Sequence, residues 1–387
     1  MQERSLPAHP DELASVNWRL IGRISLKALL LFVALNLVFA LARPLDTLGQ
    51  VSLYNILFPG RARLPYGEIP SEDYNLTLHN LPAMLAAHEA ARPKAADEYR
   101  VLIIGDSATW GWFLENRHTL AGQINALGLR AADGRRVVAY NLGYPVMSLA
   151  KDLLWIDTML EKGNPDMVIW PVTLQSFARG RQLEHPLLHE NADPMRGLIA
   201  RYGLALDASD PRFRDRTLPE ETIVGRRRDL ADLLRLQAWG LAWAATGRDQ
   251  AIPDPIPLRQ TNLEADESWL DIPVPRALTA DDLAFDVLMA GIKRIGDVPL
   301  VIVNEPMYIS DGANSHIRYN SFYPRWAYDQ YRDLLSKALA AEDVIYLDLW
   351  DIIPAAEFTD TPVHLTPVGT QLFAEQLAGE LAQLLQP

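Results

Sequence analysis

The chain has 387 residues, 49% of them hydrophobic and 22% charged, enough apolar side chain to bury a sizeable core. A formal net charge of -13 argues against broad nucleic-acid binding, which needs a basic surface to displace counterions. There is no cysteine, which excludes disulfides, thiolate metal sites and a cysteine nucleophile; HExxH, P-loop and GxGxxG signals are also missing, so no cofactor or metal is expected.

Residues 28–42 read ALLLFVALNLVFALA, with Asn36 the only polar side chain, and follow Arg19, Arg23 and Lys27. The run falls short of the roughly 20 apolar residues of a full span. Adding residues 24–26 and letting the Lys27 stem snorkel makes a span feasible. Basic residues gathered before it, against Arg43 alone after it, favour a cytoplasmic tail over 1–23, a transmembrane anchor over 24–43 and an extracytoplasmic remainder. Ala40-Leu41-Ala42 leaves a cleaved signal open, and a buried core helix is a third reading. The long polar lead favours the uncleaved anchor.

Residues 44–98, punctuated by Pro44, Pro59, Pro65, Pro70, Pro82 and Pro93, read as a juxtamembrane stalk with a short helix over 81–91. Asn75-Leu76-Thr77 matches a glycosylation sequon, a short and common motif.

From residue 99 strands alternate with helices. Buried strands are expected at 101–104, 137–141, 167–172, 300–304 and 344–348, and helices over 119–132, 148–163, 279–295, 328–341 and 371–385. The last helix starts at Thr366-Pro367 and puts Phe373, Leu377, Leu381 and Leu384 on one face. This alternation predicts an α/β domain with a parallel sheet of about five strands covered by helices on both faces. Residues 178–275 break the pattern and read as a helical insertion. Within it, GRRRDLADLLRLQAWGLAWAATG (225–247) is either a helix packed on the sheet or an interfacial helix lying on a bilayer.

The stretch VLIIGDSATWGWFL (101–114) sets Ser107 at the C-terminal end of a buried strand, where open α/β sheets bind ligands. Alone, such a serine is more often a helix cap. His364, in FTDTPVHLTPVGTQLFAEQL, precedes the final helix and has Asp360 four residues earlier to fix its tautomer. His9 lies ahead of the anchor. In NSHIRYNSFYPRWAYDQYR (314–332), Tyr319, Tyr323 and Trp326 can stack on sugar rings while Arg318 and Arg325 bind polar groups; a packed loop is an equal reading.

Four stretches together resemble the SGNH, or GDSL-like, hydrolases, over about residues 99–386 with the insertion removed: Gly105-Asp106-Ser107 with Gly111, VVAYNLGYP, PDMVIWPVTLQSF and the histidine loop. The resemblance implies a flavodoxin-like three-layer fold, Ser107 as nucleophile, His364 as base and Asp360 as its acid. It implies an oxyanion hole from the N–H groups of Ser107 and Gly143 with Gln175, and substrate contacts near Asp106 and Thr173. Thr173 and Gln175 stand where the family carries glycine and asparagine, and Asp360 lies one residue further from the histidine than the family's acid. That leaves a Ser-His dyad, or Asp351 as the carboxylate, as alternatives. With an anchor, the arrangement resembles the accessory proteins of teichoic-acid D-alanylation and alginate O-acetylation, which implies a membrane-bound O-acyltransferase partner and a polysaccharide acceptor. A plain esterase and a non-catalytic glycan-binding subunit are the rival readings.

Overall fold

The computed structural model describes residues 17–58, 60–67 and 69–385. They fall into two units: the described residues up to Leu45 with Arg216–Leu230, and Asp46–Asp215 with the residues from Ala231 onward.

The first unit is built on helix α1 (Trp18–Ala42), long and apolar enough to cross a membrane. Asn17 starts it, its side-chain oxygen accepting from the Leu20 N–H at 3.1 Å. Asn36 is buried rather than left on an apolar surface. Its amide donates to the Phe32 carbonyl at 2.9 Å, and its oxygen accepts from the Val224 N–H at 3.3 Å.

In the second unit short helices precede the sheet, among them α2 (Leu53–Leu57) and α3 (Leu81–Ala87). Then follow β1 (Glu98–Gly105), α4 (Ser107–Trp110), α5 (Leu120–Ala126), β2 (Arg136–Gly143), α6 (Leu149–Gly163) and β3 (Met167–Val172). Helix α7 (Arg227–Thr246), whose first turn belongs to the other unit, precedes α8 (Phe285–Ile295), β4 (Leu300–Asn304), α9 (Arg325–Leu339), β5 (Ile345–Asp348) and α10 (Pro367–Leu384).

The five strands form one parallel sheet in the order β2-β1-β3-β4-β5. Alternate side chains go to opposite faces. Val101, Ile103, Val137, Ile169 and Val301 pack with Leu120 and Ile124 of α5 and Phe373 and Leu377 of α10. On the other face Gly163 of α6 lies against Leu102, and Gly291 of α8 against the ring of Trp170. The result is the expected three-layer α/β domain. After β1 the chain first adds β2 on one side, then returns to add β3 on the other, so the strand order switches at β1, where a ligand crevice opens at the carboxyl ends.

The stalk reading is corrected. Arg61, Arg63, Asn75 and His88 are buried, and their bonds tie 60–67 and 69–91 into the sheet domain. Arg63 pairs with Asp249 and donates to the Gly111 carbonyl at 2.8 Å; His88 Nε2 bonds the Asn141 carbonyl at 2.9 Å. Prolines make this stretch irregular, but buried arginines satisfy its carbonyls, so irregular here does not mean extended. Asn75 of the sequon holds Arg61, Tyr66 and Asp249 and is not presented at the surface. Helix α5 is shorter than expected because the chain turns at Gly128, with φ +64°; α8 begins later, after an Asp282 side chain accepts from the Thr279 N–H. Helix α7 buries Leu233, Leu236, Gly240 and Trp243, with Gly240 directly under the Tyr54 ring of α2.

Candidate active site

Ser107 is the first residue of α4, immediately beyond β1. Asp106 caps that helix, Oδ1 accepting from the Ala108 N–H at 2.8 Å, and Gly111 ends it in the left-handed region at φ +90°. A side chain on Gly105 would strike Thr109, and one on Gly143 would strike the backbone of Trp110. Two glycines paired across β1 and β2 therefore let the helix sit hard against the strand ends. Lys151, fully buried on α6, donates to the Gly105 carbonyl at 2.6 Å and the Tyr144 carbonyl at 3.3 Å, and pairs with Asp152 at 2.6 Å. Its ammonium clamps the two strand ends together.

His364 arrives on the loop before α10. Its Nε2 lies 2.8 Å from Ser107 Oγ, and its Nδ1 lies 2.8 Å from Asp360 Oδ1. An ionised carboxylate only accepts, so Nδ1 carries the proton and Nε2 is the free base facing the serine hydroxyl. Burial pushes the Asp360 carboxyl up, but the His364 hydrogen bond and charge outweigh it, and the net shift is below the usual carboxylate range. The extra residue between acid and base is absorbed by a tight loop: the Thr361 hydroxyl accepts from the His364 N–H at 3.3 Å, and the Thr359 N–H donates to the His364 carbonyl at 2.8 Å. Asp351, the alternative acid, is exposed, and the His364 ring is bonded to Asp360. Trp112 stacks on the histidine, centroids 5.9 Å apart and planes 24° from parallel.

Ser107 and His364 open onto a cavity of about 400 Å³ lined by Pro145, Val146, Met147, Gln175, Arg181 and Phe322, among others. Gln175 is the expected amide. The Thr173 hydroxyl donates to Tyr323 Oη at 3.0 Å, and that hydroxyl also faces the Gln175 N–H, which pins the turn carrying the glutamine. The Ser107 N–H, at the first turn of α4, has no intrahelical partner.

Gly143 needs correcting. Its N–H donates to Asn141 Oδ1 at 3.0 Å, and it does not line the cavity, where Pro145, Val146 and Met147 stand instead. Its role is close packing against Trp110. Asp106 and Thr173 are buried and support the site from behind rather than lining it.

The aromatic stretch is also corrected. Tyr323 is fully buried, Tyr319 donates to Asp329 at 2.8 Å, and Arg325 stacks on Tyr319 while donating to the Ser315 carbonyl at 2.6 Å. Their polar atoms already have partners within the fold. Phe322, between them, lines the cavity in their place. Sequence reasoning missed it, along with Trp112 and His185. The signal for Trp112 was its place five residues after the serine. His185 accepts from the Leu187 N–H at 3.1 Å through Nδ1, and burial lowers its pKa to about 4, so it faces the cavity as a neutral ring. Beneath the nucleophile, burial pushes the Asp106 carboxyl up and Glu305 further still, with the charge of Asp106 adding to the latter.

No family model matches the chain, and no curated protein matches it. Among solved structures it is similar to a lipase/acylhydrolase from Enterococcus faecalis, at 14% identity over 74% of this chain and 97% of that one, TM-score 0.36. A carbohydrate acetylesterase from Sinorhizobium meliloti matches at 12% identity over 74% and 99%, TM-score 0.34. An aryl esterase from M. smegmatis matches at 12% identity over the same shares, TM-score 0.33. The chemical reading therefore rests on this chain's own geometry.

Proposed function

We propose that this chain is a serine-dependent acyl-transfer enzyme of SGNH type. Its acceptor would be a cell-envelope polysaccharide, with the catalytic domain anchored outside the cytoplasmic membrane by α1. A membrane-bound O-acyltransferase would supply the acyl group. The observation that carries the reading is the continuous chain Ser107 Oγ, His364 Nε2, His364 Nδ1, Asp360 at 2.8 Å and 2.8 Å, opening on the cavity.

In this mechanism Ser107 Oγ bonds to the acyl carbon as its proton passes to His364 Nε2. Asp360 stabilises the imidazolium. The oxyanion is held by the Ser107 N–H and the Gln175 amide. The carbon–oxygen bond to the donor breaks as His364 returns the proton to the leaving oxygen. An acceptor hydroxyl, deprotonated by the same histidine, then takes the acyl group from Ser107. Water in its place makes the enzyme an esterase. A cavity of about 400 Å³ exceeds the need of a small acyl group and supports a bulky acceptor such as a sugar.

The test is labelling of the full-length chain with a fluorophosphonate, located by mass spectrometry, beside Ser107→Ala and His364→Ala. An adduct on Ser107, lost in both variants, is expected. An unlabelled but folded wild-type protein overturns the catalytic reading in favour of a glycan-binding subunit. Adding a de-acylated polysaccharide to an acyl-ester assay then separates transfer from hydrolysis: transfer yields acylated glycan, hydrolysis only free acid.

A further inference from the structure

Helices α2 and α7 carry apolar side chains that the fold does not cover. On α2 and its flanks, Leu48, Val51, Leu53, Ile56, Leu57 and Phe58 are exposed, Ile56 to 70% and Leu57 to 74%. On α7, Leu234, Ala238, Leu241 and Ala245 recur at helical spacing along the solvent face, opposite the buried stripe of Leu233, Leu236, Gly240 and Trp243. The two helices are locked together. Tyr54 sits on Gly240, the Leu53 N–H donates to Gln237 Oε1 at 2.8 Å, and Gln237 Nε2 donates to the Val51 carbonyl at 3.4 Å. Exposed apolar surface spread over two joined helices is unusual on a soluble face.

Charge marks the same surface. The chain has 49 acidic residues, yet none falls in 47–67 or in 233–248. Arg92 bonds the Phe58 carbonyl at 2.6 Å beside the patch, Arg248 is exposed just beyond α7, and Arg235 is exposed on α7, paired with Asp232 at 2.9 Å. Two apolar segments without a carboxylate of their own, bounded by Asp46 and Asp232 and carrying arginine, suit an anionic headgroup layer. Chain length adds a geometric argument. Leu48 follows the end of α1 by six residues, which reach at most about 20 Å when extended.

We propose that this α2–α7 face lies in the headgroup layer of the bilayer and holds the catalytic domain against the membrane. The proposal rests on the reading of α1 as a membrane anchor, and it adds a second attachment that α1 does not require. A face of this kind sinks about 5–10 Å into the headgroup and acyl boundary.

The absence of cysteine makes the test direct. Single cysteines replace Leu30 in α1, Leu57 in α2, Leu241 in α7 and Leu127 at the end of α5, in the full-length chain. Each carries a nitrobenzoxadiazole fluorophore, in vesicles of phosphatidylcholine and phosphatidylglycerol with or without doxyl-labelled lipid. All four side chains are exposed, so the label does not enter the core. The expected result is quenching at 30, 57 and 241, with a fall of about twofold for the latter two from a shallow quencher, and none at 127. Quenching at 30 alone overturns the proposal and leaves the anchor standing. Quenching at none of the four overturns both, and quenching at 127 as well shows indiscriminate contact and also overturns it.

Discussion

Gly143 lies so close beneath Trp110 that a Cβ on it would overlap the Trp110 backbone nitrogen. The last residue of β2 thus sets how near the helix carrying Ser107 can come to the sheet, while its own N–H is held by Asn141. Gly143→Ala is expected to push α4 outward and break the 2.8 Å approach of Ser107 to His364. Overpacking of this kind costs about 1–3 kcal/mol. The activity on a small acyl ester should fall at least tenfold in kcat, about 1.4 kcal/mol in the barrier. Thermal unfolding and steady-state kinetics on the same variant check both.

Asp360 acts on the serine only through the histidine. Asp360→Asn leaves the loop's size unchanged but offers the ring an amide that can favour the wrong tautomer. A fall of about 10²–10⁴ in kcat with little change in KM is expected, with unfolding midpoint nearly unchanged. A variant with wild-type kcat would remove Asp360 from the mechanism and leave a Ser-His dyad.

Gln175 reaches the cavity from the turn after β3. If its amide holds the oxyanion, Gln175→Ala should lower kcat by about 10²–10³ while KM moves little. Single-turnover acylation rates on a nitrophenyl ester check this. A change confined to KM would assign Gln175 to acceptor binding instead.

His88 contributes stability that is lost on mild acidification, opposite in sign to the contribution of Glu89, which burial pushes up to about 7. The ring is buried, its Nδ1 accepts from the Ala90 N–H at 3.0 Å and its Nε2 faces the Asn141 carbonyl. Desolvation lowers its pKa from 6.5 to about 4. The unfolded chain therefore binds the proton first, so the stabilisation is complete above pH 6.5 and drains away as pH falls toward 4. The full loss is about 3 kcal/mol, from the size of the shift. Asp360 adds to the loss at lower pH still, since its depressed pKa favours the folded state only while the carboxylate is ionised. Denaturant unfolding of wild type and His88→Gln at a series of pH values checks this: the difference between them should change by about 3 kcal/mol between pH 6.5 and 4.

What the sequence by itself determined was whatever local patterning dictates. Short β-branched runs such as residues 101–104 read as strands once turn residues bound them, and all five strands formed where those runs lie, though β5 at the sheet edge is only half-buried rather than buried as expected. The order of Ser107 after β1 and His364 before α10 was legible for the same reason: strand ends and helix starts are local signals. Tertiary structure decided the rest. It joined Ser107 to a histidine 257 residues away and bent the loop so that Asp360 reached it. It gave Gly143 to packing rather than to the oxyanion, because an N–H two residues from an asparagine can be taken by that side chain. It buried Tyr319 and Tyr323 and turned Phe322 into the cavity, since neighbours in a loop face different ways and no period marks which. And it folded the proline-rich segment before β1 into the domain, because what ties that segment down is a set of buried arginines whose partners, Asp249 and Gly111, lie far along the chain.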